Sequence, residues 1–168
     1  MKKVIIKGKH NIDRFKNETL RKKVSSWKYP NEVLEKKNQI KILNQLYLTQ
    51  PFNGSEDVKK EINTKINSYG QQDKKRNIYD KKKLINYDQC IEKLVLSKLK
   101  CYYCREEMLL MYKDKREPTQ WTLDRLNNDI GHHDDNVVIC CLKCNLKKRR
   151  MDDEKFKFTK QLRVIKGF

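Results

Sequence analysis

The sequence predicts an α+β chain: a basic helical region, then a small unit of two strands and a helix held by a metal staple. Three observations lead there. Apolar residues recur at helical spacing through the first half, four of the six cysteines form two CxxC pairs in the second, and two short apolar runs lie between those pairs.

Size and charge set the bounds. The 168 residues suffice for one domain, or a small domain with an accessory segment, and 37% hydrophobic content predicts a modest core. The longest apolar runs, such as Val137 to Leu142, are strand-sized, so no membrane span is expected. The stretch from Met1 to Lys7 returns to charge too soon for a signal peptide, which makes an intracellular location, cytoplasmic or nuclear, the expectation. Lys and Arg number 40 against 22 Asp and Glu, a formal charge of +18. Such an excess points to a polyanion, because Lys and Arg release condensed counterions when they meet phosphates. The chain has no alanine and is rich in Lys, Asn and Ile, the bias of an AT-rich genome, so part of the lysine records codon usage. A viral or phage source fits that bias.

Residues 1–100 carry 25 basic and 11 acidic side chains, whereas residues 101–168 carry 15 and 11. The expected division lies between Gly70 and Leu84: a helical, lysine-rich accessory region over 1–83 and a metal-stabilised module over 84–168. Val33, Leu34, Ile40, Leu43, Leu46 and Tyr47 predict a first helix, closed by Pro51 and the Asn53-Gly54 turn. A second begins with Ser55 as N-cap. Its Val58, Ile62, Ile66 and Tyr69 step by four, four and three along one packing face, and Gly70 is the expected stop. A third runs from Asp88 through Ile91, Leu94 and Val95 towards the first cysteine pair, with Cys90 as a buried apolar residue. His10 has no identifiable partner.

Cys101 and Cys104 form one pair, Cys141 and Cys144 the other, with 36 residues between them. A two-residue gap lets a tight turn aim both thiolates at one ion, so two such knuckles complete a tetrahedral zinc site. Disulfides are disfavoured in a chain without a mark of secretion, and a redox pair needs only one CxxC. A four-thiolate zinc is coordinatively closed and staples a core without doing chemistry. Cys140, out of phase with Cys141, is expected in the core. Between the knuckles, Trp121 to Leu123 predicts a strand ending at the Asp124 carboxylate, Val137 to Ile139 predicts a second, and a polar loop of about a dozen residues joins them. After Cys144, the run from Asn145 to Arg150 can start a helix.

In this order of parts the sequence resembles the HNH endonucleases, also called ββα-metal nucleases, in the treble-clef-like branch clamped by a four-cysteine zinc site. The resemblance covers about residues 98–150. It is carried by Cys101 and Cys104, Asp124-Arg125 at the first strand's end, Gly131-His132, Asn136 opening the second strand, and Cys141, Cys144 and Asn145. It implies a DNA endonuclease that holds one divalent cation, usually magnesium, on Asp124 and Asn145 and leaves 5′-phosphate and 3′-hydroxyl ends. Oxygen ligands suit the hard cation that such hydrolysis requires.

One position departs from the family. Its first His, the general base, normally follows the acidic residue, where this chain has Arg125, and an Arg cannot accept a proton at neutral pH. By the resemblance, Arg125 becomes a bidentate clamp for the scissile phosphate. The base is then His132 or His133, a tyrosine, or metal-bound hydroxide; a near-neutral His suits proton transfer. Asn127 is a further candidate for metal or phosphate contact, while Asn136 is expected to brace the loop. Lys147, Lys148, Arg149 and Arg150 are expected to project from the helix against DNA, with Lys74, Lys75, Arg76 and Lys81 to Lys83 upstream. Trp121, Tyr102 and Tyr103 read as packing residues rather than base-stacking platforms.

The expected function is metal-dependent hydrolysis of DNA phosphodiesters. A zinc-dependent nucleic-acid-binding module with a decayed active site is the alternative, and a zinc finger for protein contacts is a third class. The pair Asp124 and Asn145 separates them, because binding alone does not need it.

Overall fold

The computed structural model describes residues 30–162; the expectations for Met1 to Lys7 and for His10 lie outside them. Helix α1 (Asn31–Leu34) and helix α2 (Gln39–Tyr47) are joined by a 3₁₀ turn over Lys36–Asn38. The single helix expected from Val33 to Tyr47 is therefore broken, at Glu35, whose backbone is extended (φ −70°, ψ 123°). The break brings Gln39 inside. Its amide oxygen accepts from the N–H groups of Leu110 and Met111 at 2.5 and 3.2 Å, and its nitrogen donates to the Met111 carbonyl at 2.9 Å. A buried amide costs little once all its groups are paired, and this one ties α2 to the segment leading into the sheet.

Helix α3 (Ser55–Lys75) continues through Gly70, the expected stop, and is capped at Arg76. Gly70 has no left-handed φ. Its role is space: a Cβ there would meet Leu84 Cδ2 at 3.1 Å and Tyr79 Cε2 at 3.4 Å, side chains of the segment that returns past the helix. Val58, Ile62, Ile66 and Tyr69 are buried as their spacing predicts, and Asp73 continues the same stripe. Lys65, Tyr69 and Asp73, four residues apart and so on one face, dock the helix on the later part of the chain. Lys65 donates to the Tyr112 hydroxyl at 3.0 Å, to Gln120 Oε1 at 3.1 Å and to the Trp121 carbonyl. Tyr69 accepts from the Leu123 N–H at 3.0 Å, and Asp73 accepts from the His132 N–H at 2.7 Å.

Helix α4 (Tyr87–Ser97) opens on a reciprocal capping box. Asn86 accepts from the Gln89 N–H at 2.9 Å, and Gln89 accepts from the Asn86 N–H at 3.0 Å. Strands β1 (Trp121–Arg125) and β2 (Val137–Cys141) form a two-stranded antiparallel sheet, with Trp121 opposite Cys141 and Arg125 opposite Val137. Helix α5 (Leu142–Lys148) follows β2 directly, and α6 (Asp153–Gln161) packs Phe156 into the core. Two strands alone are marginal in water. Here they are covered by helices, and buried apolar side chains from Val33 to Phe156 form one cluster. No helix among the described residues is long and apolar enough to cross a membrane.

The loop between the strands is held at Gly131. A Cβ there would stand 2.8 Å from the Ile78 carbonyl oxygen and 2.9 Å from Asp73 Oδ2. Neither neighbour can yield easily, one being backbone and the other buried. Gly131→Ala is expected to lower stability by about 1–3 kcal/mol, as overpacking does, seen as a lower urea midpoint at unchanged m-value. An unaltered midpoint would mean that the loop does not sit this close to α3.

Candidate functional site

The knuckles bring four sulfurs together. One Sγ each from Cys101, Cys104, Cys141 and Cys144 lies within 4.8 Å of all the others. Cys104 and Cys141 are 3.9 Å apart, nearly twice a disulfide bond length. A tetrahedron with metal–sulfur bonds of about 2.3 Å has edges of about 3.8 Å, so the donor set fits zinc in both chemistry and spacing. Crowding favours one thiolate, at Cys101, and opposes further ionisation at Cys141 and Cys144. Hydrogen bonds from Cys141 and Cys144 drive the Cys101 pKa far down, while the same sharing pushes Cys141 up to about 12. Cys140 and Cys90 stand apart from the cluster, fully buried, and burial raises both thiols, Cys90 to about 12.

The second knuckle is also the start of α5. Cys141 Sγ accepts from the Cys144 N–H at 3.4 Å and so caps the helix. The helix begins at Leu142, earlier than expected, which places Asn145 inside it rather than at its cap. The Asn145 amide nitrogen donates to Thr122 Oγ1 and to the Leu123 carbonyl, both at 3.1 Å, fixing the side chain beside the end of β1. There Asp124 is buried, and its Oδ2 accepts from the Tyr103 hydroxyl at 2.6 Å and lies 3.1 Å from Lys148 Nζ. Tyr103 remains a donor because burial and the neighbouring carboxylate both raise its pKa.

Lys148 requires a correction. Expected to project towards DNA, it is 0% exposed and donates to the Arg125 carbonyl at 2.9 Å besides pairing with Asp124. Three residues beyond Asn145, it shares the helix face turned to β1. Burying the ammonium is sustained by that carboxylate; removing one partner of such a pair typically costs about 3–5 kcal/mol. Lys147, Arg149 and Arg150 are exposed, as expected.

The loop supplies the remaining groups. Asn136 braces it, donating to the Asn127 and Gly131 carbonyls at 2.9 and 3.0 Å and accepting from the Asn127 N–H at 2.9 Å. Asn127 uses its side-chain oxygen on the Asp129 N–H at 2.8 Å, holding the turn, and is not among the residues lining the cleft described below. Arg125 is buried, donating to the Ile130 carbonyl at 3.3 Å and lying 3.8 Å from Asp73 Oδ1. His132 is also buried, its Nδ1 2.7 Å from Asp73 Oδ1 and its ring 4.6 Å from that of Tyr69. Burial lowers the His132 pKa, with Arg125 acting in the same direction and Asp73 opposing. His133 instead bridges to Leu84, and its buried Nε2 has no hydrogen-bond partner among the described residues.

Asp124, Arg125, His132 and Asn145 thus come from β1, the loop and α5 to line a single open cleft of ≈ 560 Å³. Its facing wall is α3, through Tyr69, Gln72 and Arg76, and Arg149 and Arg150 complete a cationic rim. Asp73 and Lys148 were not expected in these roles. A signal for each was present: Asp73 prolongs the apolar stripe of Ile62, Ile66 and Tyr69, and Lys148 lies three residues from Asn145. Comparison with known protein families, curated proteins and solved structures finds no match.

Zinc removal should expose the staple. The metal-loaded protein is expected to bind one zinc per chain and to leave Cys90 and Cys140 unreactive to a thiol reagent. Chelation should make all six thiols reactive and collapse the tertiary signal of Trp121. A native fold that survives quantitative chelation would contradict the stapling role.

Proposed function

We propose that the chain is a metal-dependent DNA endonuclease of the HNH, or ββα-metal, type, hydrolysing phosphodiesters in the cleft between α3 and the sheet. One observation carries the reading: Asp124, Arg125, His132 and Asn145 line the same cleft, and Arg76, Arg149 and Arg150 rim it. Binding alone would need the rim but not a buried carboxylate, an amide and a histidine on its wall.

The residues fit a second, oxygen-ligated cation. Tyr103 and Lys148 occupy Asp124 Oδ2, leaving Oδ1 without a hydrogen bond among the described residues. The Asn145 nitrogen is anchored twice, which leaves its amide oxygen available. Two such oxygens suit magnesium, which keeps several waters. When bound there, the ion supplies stabilisation of the charge that develops on the scissile phosphate and leaving oxygen. Arg125 keeps guanidinium N–H groups beyond the one bonded to Ile130, and these meet a phosphate oxygen. Arg76, Arg149 and Arg150 hold flanking phosphates and position the strand. His132 accepts the proton of the attacking water. Its depressed pKa keeps the ring neutral at pH 7, the form that can take a proton.

A binding module without hydrolysis has one observation in its favour: Arg125 stands buried where the family's base normally stands. Plasmid nicking separates the two. Zinc-loaded wild type is expected to nick supercoiled DNA only with added magnesium or manganese, Asp124→Ala to be inactive, and His132→Ala to be slower by about 10²-fold or more. The wild-type rate should hold above the ordinary histidine pKa of about 6.5 and fall as acid protonates the ring. The groups facing that ring are Asp73 and Tyr69 from α3 and Arg125 and Asp124 from β1. DNA binding without metal-dependent cleavage would favour the binding module, and activity surviving in Asp124→Ala would remove Asp124 from the site.

A further inference from the structure

Asp73 lies outside the segment that carries the family resemblance, yet its carboxylate stands directly behind two residues of the cleft wall, His132 and Arg125. It is 1% exposed and sits on α3, 59 residues before the histidine it contacts. An ionised carboxylate so deeply buried is costly unless donors converge on it. They do: the His132 N–H at 2.7 Å on Oδ2, His132 Nδ1 at 2.7 Å on Oδ1, and Arg125 Nη1 at 3.8 Å.

We propose that Asp73 is the positioning residue for His132, fixing the ring as the Nδ1–H tautomer so that Nε2 is the proton acceptor on the cleft side. The inference rests on the hydrolytic reading of the cleft. If Asp73 only held the loop or balanced Arg125, the bond to the His132 backbone would suffice. The second bond, to the ring, is what selects a tautomer. One further contact bears on the ring plane and two hold the backbone that carries it. Tyr69 lies against the ring at 4.6 Å, the His132 carbonyl accepts from the Ile85 N–H at 2.9 Å, and Gly131 lets the loop approach α3 closely. Tyr69 and Asp73, four apart on one helix face, therefore set both the plane and the protonation pattern of one imidazole.

The proton balance is simple. As the water oxygen bonds to phosphorus, its proton passes to His132 Nε2 and the bond to the leaving 3′ oxygen breaks. That oxygen takes a proton from solvent. Nδ1 keeps its proton throughout, Asp73 stays a carboxylate facing the imidazolium, and the imidazolium then returns the acquired proton to solvent. Helix α3 is on this view part of the catalytic unit and not only a basic appendage to it.

A double-mutant cycle with an NMR readout tests the assignment. Zinc-loaded wild type, Asp73→Asn, His132→Ala and the double variant are compared in metal-dependent nicking, with zinc content and circular dichroism as controls for folding. Asp73→Asn is expected to slow cleavage by about 10–100-fold, and the double variant to be no slower than His132→Ala, since both act through one ring. In ¹⁵N-histidine-labelled wild type, which requires no variant to fold, His132 should carry its proton on Nδ1. An Nε2–H tautomer in the wild type overturns the proposal. So does Asp73→Asn cleaving at the wild-type rate, or two effects that multiply in the double variant, and both leave the hydrolytic reading standing. Absence of any wild-type cleavage overturns that reading, and the role of Asp73 with it.

Discussion

Four sulfurs within 4.8 Å of one another are the constraint on which the rest of the site depends. Two of them close the turn after α4 and two join β2 to α5, so a single ion at their centre would lock strand, knuckle and helix into one frame. Because Cys141 both belongs to the cluster and caps α5, the helix direction is set by the same atoms that would hold the metal. Asn145 follows Cys144 and inherits that position. A modest core of two strands and short helices has little other means of holding a polar side chain to a fraction of an ångström.

Two buried ion groups then shape the cleft wall. Asp124 faces Lys148 and Tyr103, while Asp73 faces Arg125 and His132. Each carboxylate is neutralised from the protein side, which holds its rotamer; Asp124 keeps Oδ1 towards the cleft residues, whereas both Asp73 oxygens are taken by His132. The net effect is a wall whose own charges are matched, beneath a rim at Arg76, Arg149 and Arg150, which form no ion pair among the described residues. On the proposed reading, the groups that would attract phosphate are thus separate from those that would act on it.

Much of this was legible in the sequence, for identifiable reasons. CxxC spacing is set by the geometry of a turn and one ion, so the four cluster cysteines could be named, and Cys90 and Cys140 set aside. Steps of four and three between apolar residues likewise marked α3, and short apolar runs marked the strands. The break at Glu35 was not legible, because it depends on Gln39 finding partners 71 and 72 residues away. Nor was the passage of α3 through Gly70, where the glycine answers to packing from Leu84 and Tyr79 rather than to a cap. Lys148 misled for a related reason: within a run of four basic residues, composition does not say which one faces inward. The helical period from Asn145 does.

The central claim is a division between a thiolate cluster that fixes geometry and an oxygen site, Asp124 with Asn145, that serves chemistry. Titrating zinc-loaded protein with manganese and following free Mn²⁺ by electron paramagnetic resonance tests it without reference to any substrate. One manganese bound per chain in the wild type, lost in Asp124→Ala at unchanged zinc content, is the predicted result. No manganese bound by the wild type, or binding indifferent to Asp124, would contradict it.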